Sequence, residues 1–140
     1  MGIPDADHEE TSPDAPLRII SRLACSLVGT SQAIIIMPGS LAHQAYRQPE
    51  VTEKFSCNYG LNPQFQEQFS QGKLRSTGFD LGGETRIVEL SGHPFYVATL
   101  FLPQIISEPN HPHPLIIAYL KAALDYRSSS ASVGIKDKRG

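Results

Sequence analysis

Three consecutive isoleucines are the feature that most constrains the fold of this chain. Ile34, Ile35 and Ile36 form a short apolar run that Pro38 and Gly39 end. Branching at Cβ restricts χ1 and favours an extended backbone, and a Pro-Gly pair ends regular structure. The run therefore predicts a buried strand. Apolar segments of similar length predict further strands within 17–28, 51–57, 74–80, 85–90 and 95–102.

Helix signals alternate with these strands. Ser40 can cap a short helix that reaches about Tyr46, and Asn62, which precedes a proline, begins a second helix that Gly72 ends. An apolar stripe predicts a last helix at 115–126. Strands mixed with helices indicate a layered α/β or α+β domain.

Two of the strand predictions carry further detail. Gly82 and Gly83 separate the segments 74–80 and 85–90, which predicts a hairpin-like turn. The segment 95–102 is apolar on both faces, which predicts a strand inside a sheet that is covered on both sides.

Composition limits the classes of function. The chain has 140 residues, of which 40% are hydrophobic, and a formal net charge of -2, so we expect one domain without electrostatic steering toward nucleic acid. No apolar run approaches the roughly 20 residues of a membrane span. Cys25 and Cys57 are expected to be reduced thiols of a cytoplasmic protein. We find no zinc pattern and no Gly-rich phosphate loop, so neither a metal nor a cofactor is predicted.

Four blocks of sequence carry a resemblance to one family. They read GIPDADHEE at 2–10, KFSCN at 54–58, ELSGHPFYVATLFLPQ at 89–104 and NHPHPLII at 110–117. In order and approximate spacing they resemble the C-terminal part of the glutamine amidotransferase domain of the CTP synthase family. The block at 89–104 is the specific one, and the first block gains weight only from its position.

The resemblance implies a fold and an activity. The fold would be α/β, a partial class I glutamine amidotransferase (flavodoxin-like) domain over residues 1–126, with a mixed sheet flanked by helices and the first strands missing; a disordered tail would follow at 127–140. In the family a Cys attacks the glutamine amide, a His transfers the proton and a Glu orients the His. The released ammonia passes to a synthetase domain that aminates UTP to CTP.

The resemblance also places the family's catalytic positions. Leu102 stands at the position of the His and Gln104 at that of the Glu, so this chain is expected to have no catalytic residues and no glutaminase activity. The nucleophile has no counterpart, and its segment is expected to precede residue 1. Neither Cys25 nor Cys57 lies in a nucleophile-elbow pattern.

Three further positions match residues that hold the substrate. Glu10 matches a Glu that binds the glutamine α-amino group, Lys54 an Arg near the substrate, and Phe55 the Tyr beside it. Glutamine is thus an expected partner, bound weakly because Lys lacks the planar fork of Arg. Alternatively, Glu10 belongs to a solvated acidic run and Lys54 is an ordinary surface charge. His111 and His113 form a His-x-His pair, but its place in a family loop favours a structural role.

Three hypotheses remain open from the sequence. The chain is a fragment or split half that joins an N-terminal amidotransferase half, a non-catalytic amidotransferase-like binding or interaction module, or a structural remnant. In the last case an open sheet edge would favour self-association. None of the three involves a nucleic acid or a membrane.

Overall fold

The computed structural model describes residues 3–136. The helices are α1 (Leu41–Tyr46), α2 (Gln66–Gln71) and α3 (Pro114–Lys136), and short 3-10 turns occupy Pro63–Phe65 and Pro103–Ile105. The strands are β1 (Ala6–His8), β2 (Leu17–Arg22), β3 (Ser31–Ile36), β4 (Glu50–Lys54), β5 (Tyr59–Leu61), β6 (Leu74–Phe79), β7 (Thr85–Leu90) and β8 (Val97–Thr99).

The strands form two sheets with helices packed against them. The larger sheet has the order β4-β3-β6-β7-β8, and every neighbouring pair in it is antiparallel. The smaller sheet has the order β1-β2-β5 and is mixed, since β1 runs parallel to β2 and β5 antiparallel to it. This is a mixed α/β architecture, as the resemblance implied.

The core lies on one face of the larger sheet. Ile34 and Ile36 are two apart on β3 and are both almost fully buried, while Ile35 between them is exposed, as the alternation of a strand requires. Gly78 on β6 lets β7 come close, because a Cβ there would lie 2.6 Å from the side chain of Ile87. The buried cluster comprises Leu27, Ile34, Ile36, Ala42, Phe55, Ile87, Phe101 and Leu115.

Local sequence signals are confirmed where they were strongest. The Ser40 hydroxyl accepts a hydrogen bond from the His43 N–H at the start of α1, and Asn62 accepts one from the Gln64 N–H before the second helical segment. The β6–β7 hairpin turns through Gly83, whose φ of 82° is in the left-handed region.

The prediction for residues 95–102 is wrong in extent and position. The strand covers only Val97–Thr99, and it forms an edge of the larger sheet rather than its interior. The apolar residues of this segment have another use, because Phe101 leaves the strand and becomes a fully buried core residue. The apolar residues of 95–102 therefore belong partly to a short strand and partly to the buried loop that follows it.

The structure extends the last helix to Lys136, into the segment from residue 127 for which a disordered tail was predicted. The last helix continues ten residues past Tyr126, where it was expected to end. Hydroxyl groups of the serine run bond back to the helix, with Ser129 donating to the Asp125 carbonyl at 2.9 Å and Ser130 to the Tyr126 carbonyl at 2.9 Å. Residues 137–140 of the predicted tail lie outside the described residues.

Candidate functional site

The turn that follows Phe101 occupies the position where the resemblance places catalytic residues. Phe101 is fully buried and anchors the turn, and the Ile105 N–H donates to the Leu102 carbonyl at 3.0 Å. Leu102, 39% exposed, and the exposed Gln104 project from it. Neither side chain takes up or releases a proton in the range of enzymatic pH, so these two residues offer no acid or base.

Phe55, which the resemblance places beside the substrate, is a buried residue, and its role in binding stays a prediction. Its side chain is 2% exposed, and its ring packs edge-on against that of Phe101 with a centroid distance of 5.8 Å. Its backbone is also engaged, since its N–H donates to the Thr30 carbonyl at 2.9 Å and its carbonyl accepts from the Gly29 N–H at 3.0 Å. Phe55 is therefore a core residue that supports the turn from below.

Glu10 and Lys54 are both exposed. The Glu10 N–H donates to Nδ1 of His8 at 3.1 Å, after strand β1 of the smaller sheet, whereas Lys54 ends β4 at an edge of the larger sheet. The 3-10 turn at Pro103–Ile105 packs against β4. No hydrogen bond or ion pair among residues 3–136 joins Glu10 to Lys54, and their role in binding glutamine stays a prediction.

Both cysteines are free thiols, and neither is part of a catalytic arrangement among the described residues. Cys57 is half-buried, and its Sγ contacts the carbonyl of Tyr59 at 3.1 Å and accepts from the Tyr59 N–H at 3.4 Å. Cys25 is exposed in the loop between β2 and β3. Among residues 3–136 no hydrogen bond joins either thiol to a side chain that could serve as its base, which is the contact that activates a nucleophilic cysteine.

A buried polar cluster lies one layer beneath the turn. It joins Tyr46 at the end of α1, Glu53 on β4 and His113 just before α3. Oε1 of Glu53 accepts from the Tyr46 hydroxyl at 2.5 Å and lies 2.9 Å from Nε2 of His113. Glu53 and His113 are only 2% and 3% exposed.

The hydrogen bonds fix the protonation of the imidazole in this cluster. Nδ1 of His113 accepts from the Leu115 N–H at 3.2 Å, which leaves the ring proton on Nε2, directed at Glu53. Burial, followed by the hydrogen bond to Glu53, raises the pKa of Tyr46 far above its ordinary value. Both neighbours are therefore neutral donors to the carboxyl group of Glu53.

Two buried oxygen atoms near this cluster accept no hydrogen bond from any residue between 3 and 136. One is Oε2 of Glu53 and the other is Oε1 of Gln32, and these residues are direct partners across the β3–β4 ladder. Residues opposite each other in a ladder project from the same face, so both oxygens belong to one region of the core. A buried oxygen that accepts no hydrogen bond lowers the stability of the fold. A substitution that adds an N–H donor in this region should therefore be tolerated.

Phe101 connects the cluster to the exposed turn. Its ring lies 6.4 Å from the imidazole of His113 and also contacts Phe55. Ser107, shortly after the turn, accepts from the His113 N–H at 3.1 Å. The cluster thus holds together β4, α1 and the start of α3 directly beneath the turn, which fits the structural role predicted for His113. Nothing in the sequence pointed to Glu53 or Tyr46, because both lie in ordinary local patterns far from residue 113.

Two other kinds of site can be described for this part of the chain. No group of three or more His, Cys, Asp or Glu side chains within residues 3–136 is arranged to hold a metal ion. In the same residues, no helix combines the length and apolar character that crossing a membrane requires.

Known proteins with similar sequences are CTP synthases. The chain is 38% identical over 137 residues to the CTP synthase of Archaeoglobus fulgidus, covering 91% of this chain and 26% of that protein. It is 34% identical over 133 residues to that of Carboxydothermus hydrogenoformans, covering 88% and 25%. The chain thus spans about a quarter of the length of these curated relatives. No protein-family model matches it.

Similar solved structures have the same fold. The glutaminase domain of Trypanosoma brucei CTP synthase with bound acivicin superposes with a TM-score of 0.80 at 21% identity, covering 89% of this chain and 52% of that one. A putative GMP synthase protein from Thermoplasma acidophilum gives a TM-score of 0.61 at 11% identity, covering 80% and 51%. The chain is therefore a relative of the CTP synthases, and it has the fold of part of their glutaminase domain.

Proposed function

We propose that this chain is a CTP synthase-related, glutamine amidotransferase-like protein that does not hydrolyse glutamine by itself. The role implied by its relatives is the transfer of amide nitrogen from glutamine in the synthesis of the pyrimidine nucleotide CTP. Because Cys25 and Cys57 are both unpaired, a cytoplasmic, reducing setting is part of the proposal.

The turn at Leu102 and Gln104 is the observation that carries this proposal. General-base activation of a thiol needs a group that accepts a proton, and the leucine side chain has none. The Gln104 amide can hydrogen-bond but has no charge to stabilise an imidazolium. The one imidazole beneath the turn, that of His113, is 3% exposed with both ring nitrogens engaged, so it does not substitute for the missing base.

The test is ammonia release from glutamine by the purified chain. The Trypanosoma brucei glutaminase domain serves as the positive control in the same coupled assay. We expect a rate equal to that of buffer at every glutamine concentration. A rate that saturates with glutamine and disappears on the Cys25→Ala or Cys57→Ala substitution would contradict the proposal.

A non-catalytic binding module is the second candidate. It is favoured by Glu10 and Lys54, which are exposed and whose side chains form no hydrogen bond or ion pair among the described residues. A carboxylate and a cation can hold the two ends of an amino acid. We expect weak binding at best, about 4 kcal/mol at a Kd of about 1 mM.

Calorimetry with glutamine tests the binding module. Binding that Glu10→Gln and Lys54→Gln weaken, and that Glu50→Gln and Lys73→Gln at other positions leave unchanged, would support it. The absence of heat at millimolar glutamine, or equal loss in all four variants, would exclude Glu10 and Lys54 as the site.

A further inference from the structure

The long helix α3 is apolar on two opposite faces. One face packs on the body of the molecule, where Ile117, Ala118 and Ala122 line a groove against α1. With about 100° of rotation per residue, Tyr119, Leu120, Ala123, Tyr126 and Arg127 lie together on the opposite face. An apolar stripe on only one side is the usual pattern for a helix packed on a single core.

The outer face of α3 is largely exposed, and its one ring contact within the described residues joins Tyr119 to Phe95 at a centroid distance of 6.0 Å. Tyr119, Leu120 and Tyr126 are 56%, 51% and 65% exposed, and Ala123 between them is exposed as well. At its N-terminal end this face continues into a groove of about 310 Å³, which Ile116 and Tyr119 share with residues of β8 and with Pro103. Side chains of this size on one helix face form a patch typical of protein contacts.

The helix also continues where little within the chain supports it. Every residue of 123–130 is exposed. Serine is only a moderate helix former, and helical segments without tertiary contacts are marginal in water. Ser129 and Ser130 donate back to carbonyl groups of the helix itself, and a contact on the outer face would add support to this exposed segment.

The outer face is complementary to itself. If two copies pack antiparallel about Ala123, Leu120 of one copy meets Tyr126 of the other, and Tyr119 meets Arg127. The small Ala123 side chain allows the helices to approach at the centre, and the guanidinium of Arg127 lies on the ring of Tyr119 as a cation–π pair. Between residues 119 and 127 no carboxylate lies on this face, since Asp125 projects toward the α1 groove.

We propose that the outer face of α3 is a dimerisation surface, on which a second copy of this chain packs antiparallel with Ala123 at the twofold axis. In such an isologous contact each pair of residues occurs twice. One helix face lies at the small end of specific interfaces, below about 1,200 Å² in total, so the dimer dissociates on dilution. The surface differs from the open sheet edge expected from the sequence, and the inference does not depend on the proposed function.

Analytical ultracentrifugation over about a hundredfold range of concentration tests the proposal. The wild-type chain should shift from a mass near 15.3 kDa toward twice that value. Ala123→Glu places two carboxylates against each other at the axis and should keep the chain monomeric. Leu81→Glu, at a position 77% exposed in the β6–β7 turn, is the matched control and should dimerise like the wild type.

Disulfide trapping tests the register of the pair. In a Cys25→Ser background, Ala123→Cys should cross-link to itself under mild oxidation, whereas Leu81→Cys should not. Circular dichroism confirms that each variant is folded. A wild-type chain that stays monomeric, a dimer that survives Ala123→Glu, or equal cross-linking at both positions overturns the proposal.

Discussion

The exposed turn at Leu102–Gln104 and the buried cluster of Tyr46, Glu53 and His113 are adjacent, yet they differ in chemistry. The turn lies at the surface and has no side chain that titrates. The cluster, separated from it by Phe101, has three groups of acid–base character but is almost closed to solvent. The side chains of the turn itself therefore supply no acid or base, and the groups beneath it that have this character are buried.

The difference separates the buried contacts that hold the fold from the side chains that stand on the surface. A relative of an enzyme keeps its fold as long as the contacts beneath the site persist, whatever stands on the surface. Here the contacts beneath the turn are intact hydrogen bonds between β4, α1 and the start of α3. Substitutions in the cluster are accordingly expected to change stability, and substitutions in the turn to change little.

Glu53→Ala should have the largest effect. It removes the acceptor that Tyr46 and His113 share, leaves these two side chains only their mutual contact of 3.2 Å, and opens a cavity. The expected loss is about 2–4 kcal/mol of the free energy of unfolding, measured by urea denaturation.

Glu53→Gln is the matched control for that loss. Glutamine retains an acceptor oxygen and adds an N–H group where the unpartnered Oε2 now lies, opposite the unpartnered oxygen of Gln32. We expect a change below about 1 kcal/mol. If glutamine were as damaging as alanine at this position, the description of the cluster would be wrong.

Tyr46→Phe should have an intermediate effect. It removes one hydroxyl donor while Glu53 keeps the His113 N–H, so the expected loss is about 1–1.5 kcal/mol. The measurement is the same urea denaturation at neutral pH. No loss at all would mean that the Tyr46 hydroxyl contributes nothing to the cluster.

Alkaline pH should separate Tyr46→Phe from the wild type in a second way. The raised pKa of Tyr46 means that the folded protein keeps the phenol neutral while the unfolded chain ionises near its ordinary pKa of about 10. The contribution of this group is thus complete below about pH 10 and is lost as the pH rises above it, by at most about 1.4 kcal/mol per pH unit. Above about pH 10, the free energies of unfolding of the wild type and of Tyr46→Phe should therefore converge. A difference between them that stays constant with pH would contradict the burial of Tyr46.

Changes in the turn should have the smallest effect on stability. The double substitution Leu102→His and Gln104→Glu alters exposed side chains, so we expect the free energy of unfolding to stay within about 0.5 kcal/mol of the wild type. A loss of several kcal/mol would show that the turn, and not only the cluster beneath it, holds the fold.

The sequence allowed prediction of features whose causes are local. The cap at Ser40, the helix start at Asn62 and the turn at Gly83 each depend on a few neighbouring residues. The resemblance also drew attention to the turn at Leu102, because the block at 89–104 that carries it is contiguous in sequence. The burial of Phe55 was not foreseen, since a matched position does not reveal which way a side chain points.

Features that depend on distant residues could not be predicted in this way. Glu53 and His113 are 60 positions apart, and nothing in either local pattern signals their contact. The apolar segment 95–102 was assigned to one central strand because periodicity cannot separate a strand from the buried loop at Phe101. The extension of α3 was missed because a serine-rich sequence is typical of a tail.

The most direct test of this account is glutamine hydrolysis by the wild-type chain and by the Leu102→His, Gln104→Glu variant in one assay. We expect no ammonia above buffer for either protein, because Leu102 offers the wild type no base at the family's position and no hydrogen bond among residues 3–136 joins Cys25 or Cys57 to a side chain that could act as one. Glutamine-dependent ammonia release by the wild-type chain, abolished by replacing one of its cysteines, would contradict it.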